Sequence, residues 1–418
     1  MSFEEKNVKA DVRLHSDDHR ELNKKHDYYH FDEQVGPGLP LWLPNGVVIR
    51  DELEKFMKEL EFLAGYQRVM SPHIAKEEFY QQSGHLPYYE DSMFPAMELE
   101  NINYRLRPMC CPHHHKIFDS ALRSYKELPL RLAEYGQVYR YELSGALSGL
   151  MRVRGLCQND AHIYCSVAQV KSEIRSVIEM YQHAYKVLGI SDYRLRLSKW
   201  DASNPEKYQD KKDQWEWAEG VLREVLVEMN LPFDEEAGEA AFYGPKIDVQ
   251  IKNIYGKEES ASSVQLDFMS AERFDLSFIN EKGERERPVI VHRAPLGSHE
   301  RFVAFLIEKF KGAMPLWLSP VQVQILPIAD RHQEYAKKVS LMLHNAFVRV
   351  NVDNRVESLN RKIKDAKESK VPYILVIGDK EVASESLSVC MRGSGEKELL
   401  LRDNFIKEVK IRIKERCL

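Results

Sequence analysis

The chain has 418 residues, of which 43% are hydrophobic and 30% charged, with a formal net charge of −5. That length exceeds one ordinary core and predicts two or three domains, while the composition excludes a disordered chain and no apolar run is long enough for a bilayer. The mild acidity excludes indiscriminate nucleic-acid binding, although from Pro315 onward 19 Lys+Arg face 14 Asp+Glu, a basic end suited to a docked polyanion.

The N-terminal MSFEEKNVKADVRLHSDDHR is neither a signal nor a transit peptide, and residues 1–17 read as a mobile tail. Apolar residues at helical spacing predict a helix over 51–64, stopped by Gly65, and a short strand over 66–70 ends at Ser71-Pro72. Two strands, 132–141 and 150–157, flank a polar loop with Ser144, Gly145 and Gly149. Helices over 167–188 and 211–229 enclose a strand at 193–198. Residues 246–253 and 263–268 alternate like antiparallel strands, 287–292 is a short apolar strand, and 300–310 returns to helical periodicity. Beyond Pro320 the pattern runs strand 321–328, helix 333–347, strand 348–352, helix 358–368 and strand 373–377. This alternation predicts a separate small α/β domain over 316–418, after a first domain over 18–315. Six cysteines (Cys110, Cys111, Cys157, Cys165, Cys390 and Cys417) lack a disulfide-framework spacing, which points to a reducing compartment, the cytosol by default.

There is no Walker-type loop, GxGxxG fingerprint, nucleophile elbow or HExxH helix. A nucleotide would therefore be held by arginines and metal, with Arg140, Glu142, Arg152, Arg154 and Arg301 as candidates; guanidinium forks suit phosphates, and a carboxylate can take an adenine amino group or magnesium. Taken singly, each reads more readily as a surface or structural charge. Cys111, His162 and His292 have ligand chemistry but none of the short spacing of a zinc finger. His113, His114 and His115 read as a solvated or partly packed patch, because consecutive helix positions point different ways.

Taken together the motifs say more. YGQVYRYELSGALSGLMRVRGLCQNDAHIYC (135–165) resembles the second class II synthetase motif in its threonyl-tRNA synthetase form, and RPMCCPHH (107–114) resembles that family's zinc-ligand segment. FYGPKID (242–248), SVQLDF (263–268) and VHRAPLGSHERF (291–302) match three further signatures, and KVPYILVIGDKEV (370–382) resembles the family's anticodon-binding domain. The similarity runs colinearly from about Asp18 to the end.

The resemblance implies an α+β fold: a class II catalytic domain on an antiparallel sheet with flanking helices, followed by a small α/β anticodon-binding-type domain. It implies a homodimer, with 51–72 as the first motif at the interface. Arg140 falls on the arginine expected at the α-phosphate, Glu142 on the adenine partner, Arg152 near the γ-phosphate, and Arg301 by the base and phosphates. Cations converging there would stabilise charge as the threonine carboxylate attacks, with Mg2+ accompanying ATP. Cys111, His162 and His292 fall on three zinc ligands, one zinc per chain, with coordination left open for the amino group and hydroxyl of L-threonine. Valine lacks that hydroxyl and would be rejected. Gln158, Asp160, Tyr243, Gln265 and Ser298 match positions around the amino acid, Asp160 at its ammonium. Serine keeps both liganding groups. Many members carry N-terminal domains, one of which hydrolyses seryl-tRNA; these are expected to be absent here.

Some positions depart from the pattern. Leu156 stands where a phenylalanine usually stacks on adenine, Ser260 where a glutamine is common, Cys110 for an asparagine and His113 for a glycine. In the last domain Glu381 keeps an anticodon-contacting position, whereas Val356 replaces an asparagine and Cys390 an arginine. The reading is a cytoplasmic threonine–tRNA ligase without a membrane segment. Its alternatives are a paralogue loading threonine onto a carrier protein or other acceptor, and a non-catalytic binding or regulatory protein on the same scaffold.

Overall fold

The computed structural model describes residues 14–394 and 396–418. Residues 1–13 of the tail expected from the sequence lie outside them. Of the remainder, the His15 N–H donates to Tyr255 Oη (3.2 Å) and Asp17 pairs with Lys311 (2.8 Å).

The helices follow their apolar stripes. After α1 (His19–His26), α2 (Pro44–Leu63) starts at a proline, whose missing N–H costs nothing in a first turn, and buries Ile49, Leu53, Phe56 and Met57 along one face. It begins earlier than the expected 51–64. α3 (Cys111–Asp119) is short; α4 (Val170–Val187) and α5 (Lys212–Glu228) are the two long helices foreseen, and α6 (His299–Phe310) is capped by the Ser298 hydroxyl, which accepts from Arg301 N–H at 3.3 Å.

Eight strands form the central sheet: β1 (Gln67–Arg68), β2 (Leu130–Tyr139), β3 (Gly155–Cys165), β4 (Arg194–Lys199), β5 (Phe233–Ala237), β6 (Lys246–Lys252), β7 (Glu258–Asp267) and β8 (Val289–Ala294), in the order β5-β4-β6-β7-β8-β3-β2-β1. All pairs are antiparallel except the outermost one at each edge. The sheet's two faces differ in kind. Ala133, Ala161, Ile163, Val249, Val264, Leu266 and Val291 point to one side, into the main core with the apolar stripes of α2, α4 and α6. Side chains alternate along a strand, so the residues between them turn to the opposite, largely polar side. The candidate site residues on these strands lie there.

One expectation fails. The strand predicted over 150–157 begins only at Gly155, and residues 140–154 form a loop. Leu150 and Val153 are both buried, but at a spacing of three, so each fills its own gap instead of alternating in a ladder.

A second sheet has its own core: β9 (Val323–Pro327), β10 (Val350–Val352), β11 (Tyr373–Ile377), β12 (Ser386–Met391) and β13 (Lys397–Leu401), ordered β10-β9-β11-β12-β13. Helices α7 (Gln333–Asn345), α8 (Leu359–Glu368) and α9 (Arg402–Lys414) accompany it. The first three strands are parallel neighbours, as the βαβ pattern requires, and the last two add antiparallel. Arg349 joins the two sheets' surroundings, donating to Glu52 Oε1 (2.5 Å) and to the Trp317 carbonyl (2.7 Å). Arg416 pairs with Glu59 on the same helix as Glu52. No helix among the described residues is long and apolar enough to cross a membrane.

Candidate active site

Three donor side chains from distant parts of the chain meet on the polar face. Cys111 opens α3, His162 lies on β3 and His292 on β8, directly opposite His162 in the ladder. Their ligand atoms lie within 4.8 Å of one another, and all three residues are buried.

Each imidazole is held from behind. His292 Nε2 is 2.9 Å from Asp267 Oδ2, and His162 Nδ1 is 2.8 Å from His114 Nδ1. That leaves His292 Nδ1 and His162 Nε2 as the free nitrogens. His114 Nε2 continues to Glu134 Oε2 at 3.1 Å, and Arg107 donates to Glu134 Oε1 at 2.9 Å. Burial pushes the Glu134 carboxyl up, but hydrogen bonds from His114 and Ser71 and the Arg107 charge outweigh it and hold it at about 2. Asp267 behaves alike: burial raises it, and the His292 bond and nearby imidazole charge bring it down to about 2. Carboxylates that orient the outer nitrogen of a metal-facing histidine are the usual support of such a site. Burial also drives the His162 imidazole strongly toward its neutral form, which is the ligating one, and pushes the Cys111 thiol up. A bound cation would reverse the latter effect.

The rest of the polar face surrounds this triad. The Tyr243 ring stacks on His292 (4.8 Å between centroids, 15° between planes), and its hydroxyl donates to Gln265 Oε1 at 2.5 Å. Asp160 is two residues from His162 on the same face, directly across from Glu134. Burial raises its carboxyl, with the nearby His114, His292 and Arg293 opposing, and among the described residues it has no salt-bridge partner. Gln158 follows, bridged to Ser298 at the start of α6. His85 Nε2 lies 3.9 Å from Cys111 Sγ, with burial lowering that imidazole to about 3.

Beyond Gln158 the cleft becomes cationic. Arg301, in the first turn of α6, donates from Nε to the Met151 carbonyl and from Nη1 to the Ser260 carbonyl, both at 3.1 Å. Burial lowers its proton affinity, with Glu259 opposing and with Arg140 and Arg152 close enough to lower it further. Arg152 Nη1 is 3.9 Å from Glu142 Oε2, and Arg140 Nε donates to the Pro108 carbonyl at 3.5 Å. Leu156, on the same face as Gln158 and Asp160, is 7% exposed and packs with Cys110, Val138, Val153 and Phe31. Glu381 is not part of this cluster: it lies on the second sheet's side, where Oε2 accepts from Gly378 N–H at 2.8 Å. There Val356 is fully exposed, and Cys390 on β12 packs beside Leu326 and Ile374.

Family comparison follows the same division. A model of the tRNA synthetase class II core domain (G, H, P, S and T) matches residues 96–310, and one of the anticodon binding domain matches 322–412. A crystal structure of the RNA binding domain of threonyl-tRNA synthetase from Cryptosporidium parvum Iowa II superposes with a TM-score of 0.89 at 34% identity, covering 94% of this chain and 98% of that one. The chain belongs to the threonyl-tRNA synthetase family. Curated threonine–tRNA ligases of Halalkalibacterium halodurans and Oceanobacillus iheyensis are 47% and 48% identical to it, over 94% of this chain in each case. The chain spans 61% of the length of each of those relatives.

For this family member the sequence left out the supporting groups. His113, His114 and His115 are all buried, beyond the solvated or partly packed patch expected, and His114 hydrogen-bonds His162. Asp267 and Glu134 were legible in principle: one lies two residues from Gln265 in an alternating strand, the other is a carboxylate within the apolar run 130–139.

Proposed function

We propose that this chain activates L-threonine with ATP to threonyl-adenylate and transfers the threonyl group to tRNA(Thr). The carrying observation is the Cys111, His162 and His292 triad beside the Asp160 carboxylate, which makes no salt bridge among the described residues, opening toward three convergent guanidinium groups. One sulfur and two oriented imidazole nitrogens suit zinc, and three protein donors leave coordination open. Zinc held there would supply a Lewis-acid contact for the amino and hydroxyl groups of threonine. Asp160 would accept from the ammonium, and Tyr243, Gln265, Gln158 and Ser298 would close around the substrate. Valine then loses a liganding oxygen that an apolar pocket could not test.

Arg140 would hold the α-phosphate, Arg152 the γ-phosphate, Arg301 the base and phosphates and Glu142 the adenine amino group, with Leu156 against the purine; Mg2+ accompanying ATP would supply further positive charge. Adenylation needs no covalent nucleophile. Orientation and preorganised positive charge lower the barrier as the threonine carboxylate attacks the α-phosphorus and pyrophosphate leaves.

The chain is read as two units dividing near residue 316, the second docking the tRNA. A homodimer is favoured by Phe62 and Leu63 at the end of α2 and Met70 beyond β1, which are 80%, 82% and 91% exposed. Val356 favours a second reading, transfer to an acceptor other than tRNA, because a fully exposed valine offers no hydrogen bond to a base.

ATP–pyrophosphate exchange with threonine, serine and valine in parallel tests the first step. Threonine-dependent exchange with little from valine is the expected result; no exchange by folded, zinc-loaded protein would refute it. Charging of transcribed tRNA(Thr), with and without anticodon changes, then separates the two acceptors.

A further inference from the structure

His19, on the N-terminal helix and far in sequence from every motif above, touches the nucleotide-side loop directly. Its ring is buried: Nε2 lies 3.1 Å from the backbone nitrogen of Leu150, and Nδ1 lies 2.7 Å from Glu308 Oε1. A backbone N–H can only donate, so Nε2 is the acceptor and the ring proton sits on Nδ1, donating to Glu308. The other Glu308 oxygen accepts from Ile254 N–H at 3.2 Å.

Asp18, His19 and Glu308 bring possible ligand atoms together, but they do not form a metal site. Both Asp18 oxygens are taken by Arg20 and Tyr255, and both His19 nitrogens are taken as above. The cluster is a hydrogen-bond network that reaches Ile254 through Glu308 and the loop at Leu150 through His19.

That contact is placed where it matters. Leu150 and Met151 are successive residues at the tip of the 148–152 turn, which Ser148 and Arg152 close. His19 grips the Leu150 N–H, and Arg301 grips the Met151 carbonyl. Glu308 and Arg301 stand at opposite ends of α6, so one helix braces the turn twice, once directly and once through His19. Gly149 permits the approach: its φ is +47°, and a Cβ there would lie 2.2 Å from His19 Nε2.

We propose that His19 is a positioning residue for ATP, fixing the turn so that Arg152 and Arg301 face one phosphate chain. The proposal rests on the threonine-activation reading above. It makes α1 a working part of the nucleotide site through one neutral imidazole.

The test uses the full chain with zinc, comparing His19→Ala, Gly149→Ala and the double variant in pyrophosphate exchange and in ATP binding by equilibrium dialysis. His19→Ala should weaken ATP binding and raise the ATP KM by about tenfold, of the order of one lost backbone hydrogen bond, with the threonine KM nearly unchanged. Gly149→Ala should do the same from the loop side, and the double variant should be no worse than either single one, because all three lose the same contact. An unchanged ATP KM in folded His19→Ala, equal rises in both KM values, or additive losses would overturn the proposal. Failure of the underlying reading looks different: wild-type protein would show no threonine-dependent exchange at all.

Discussion

His162 and His114 meet nitrogen to nitrogen, Nδ1 to Nδ1 at 2.8 Å, and His114 passes the contact on to Glu134. Only one of two imidazole nitrogens in such a contact can carry the proton. His114 holds its own proton toward the carboxylate, so His162 donates at Nδ1 and keeps Nε2 free for a ligand. His114→Phe keeps the volume and all three donors but removes this orientation. Zinc affinity should fall by about 10- to 100-fold, as read by competition with a chromogenic chelator, and threonine activation should fall with it. Unchanged zinc affinity would show that the His114 contact is incidental.

Arg301→Ala tests the cationic end independently. It removes a half-buried guanidinium tied to Met151 and Ser260. Threonyl-adenylate formation should drop by about 10²-fold or more, the usual cost of losing a preorganised charge at a reacting group, while zinc content stays at one per chain. Single-turnover adenylate formation is the measurement. A rate within twofold of wild type would remove Arg301 from the phosphate site.

Glu61, on α2, is a stability prediction. It is 1% exposed; one oxygen accepts from Arg293 (2.8 Å) and Asn159 (2.9 Å), and the other from Arg68 (2.8 Å). Arg293 also lies over the Tyr66 ring. Glu61→Leu leaves the Arg293 guanidinium buried without a counter-charge, at a cost of about 3–5 kcal/mol. Denaturant unfolding reads it directly. Replacing both partners with apolar residues should recover much of the loss, since the penalty comes from the unpaired charge.

The pH dependence has one clean component at His299. Burial, with Arg50 and Lys58 nearby, lowers this imidazole to about 3, and neither ring nitrogen has a hydrogen-bond partner among the described residues. The unfolded chain takes up a proton near the ordinary histidine value of about 6.5, which the folded one refuses. Stability from this group is therefore fully present above about pH 6.5 and falls as pH drops toward 3, by at most about 1.4 kcal/mol per unit. His299→Phe keeps the edge contact with Tyr135 and should flatten that part of the profile. Parallel profiles for the two proteins would contradict it.

What the sequence made legible follows a physical line. Long amphipathic helices such as Val170–Val187 and buried strands such as Tyr373–Ile377 carry their period on the chain, and they appeared where expected. The 140–154 loop misled because Leu150, Met151 and Val153 look like a strand until Leu150 and Val153 are seen in two different clusters. Cys111, His162 and His292 could be named only through resemblance, because no local spacing joins them; the sheet does so by setting His162 opposite His292. His114 and His19 stayed hidden for a related reason. Their roles lie in what they hold, a second imidazole and a backbone N–H, and neither partner is near them in sequence.

The two-faced sheet has a wider consequence. Along β3, Leu156, Gln158, Asp160 and His162 look into the cleft, while Cys157, Asn159, Ala161 and Ile163 look into the body of the protein. Chemistry and cohesion are thus written on alternate letters of one string. Substrate preference can drift by changing every second residue on three neighbouring strands while the scaffold keeps its fit. Repacking of the body, conversely, can proceed without touching a ligand. An insertion of one residue in β3 would scramble both messages together, so this segment should tolerate substitution far better than any change of length.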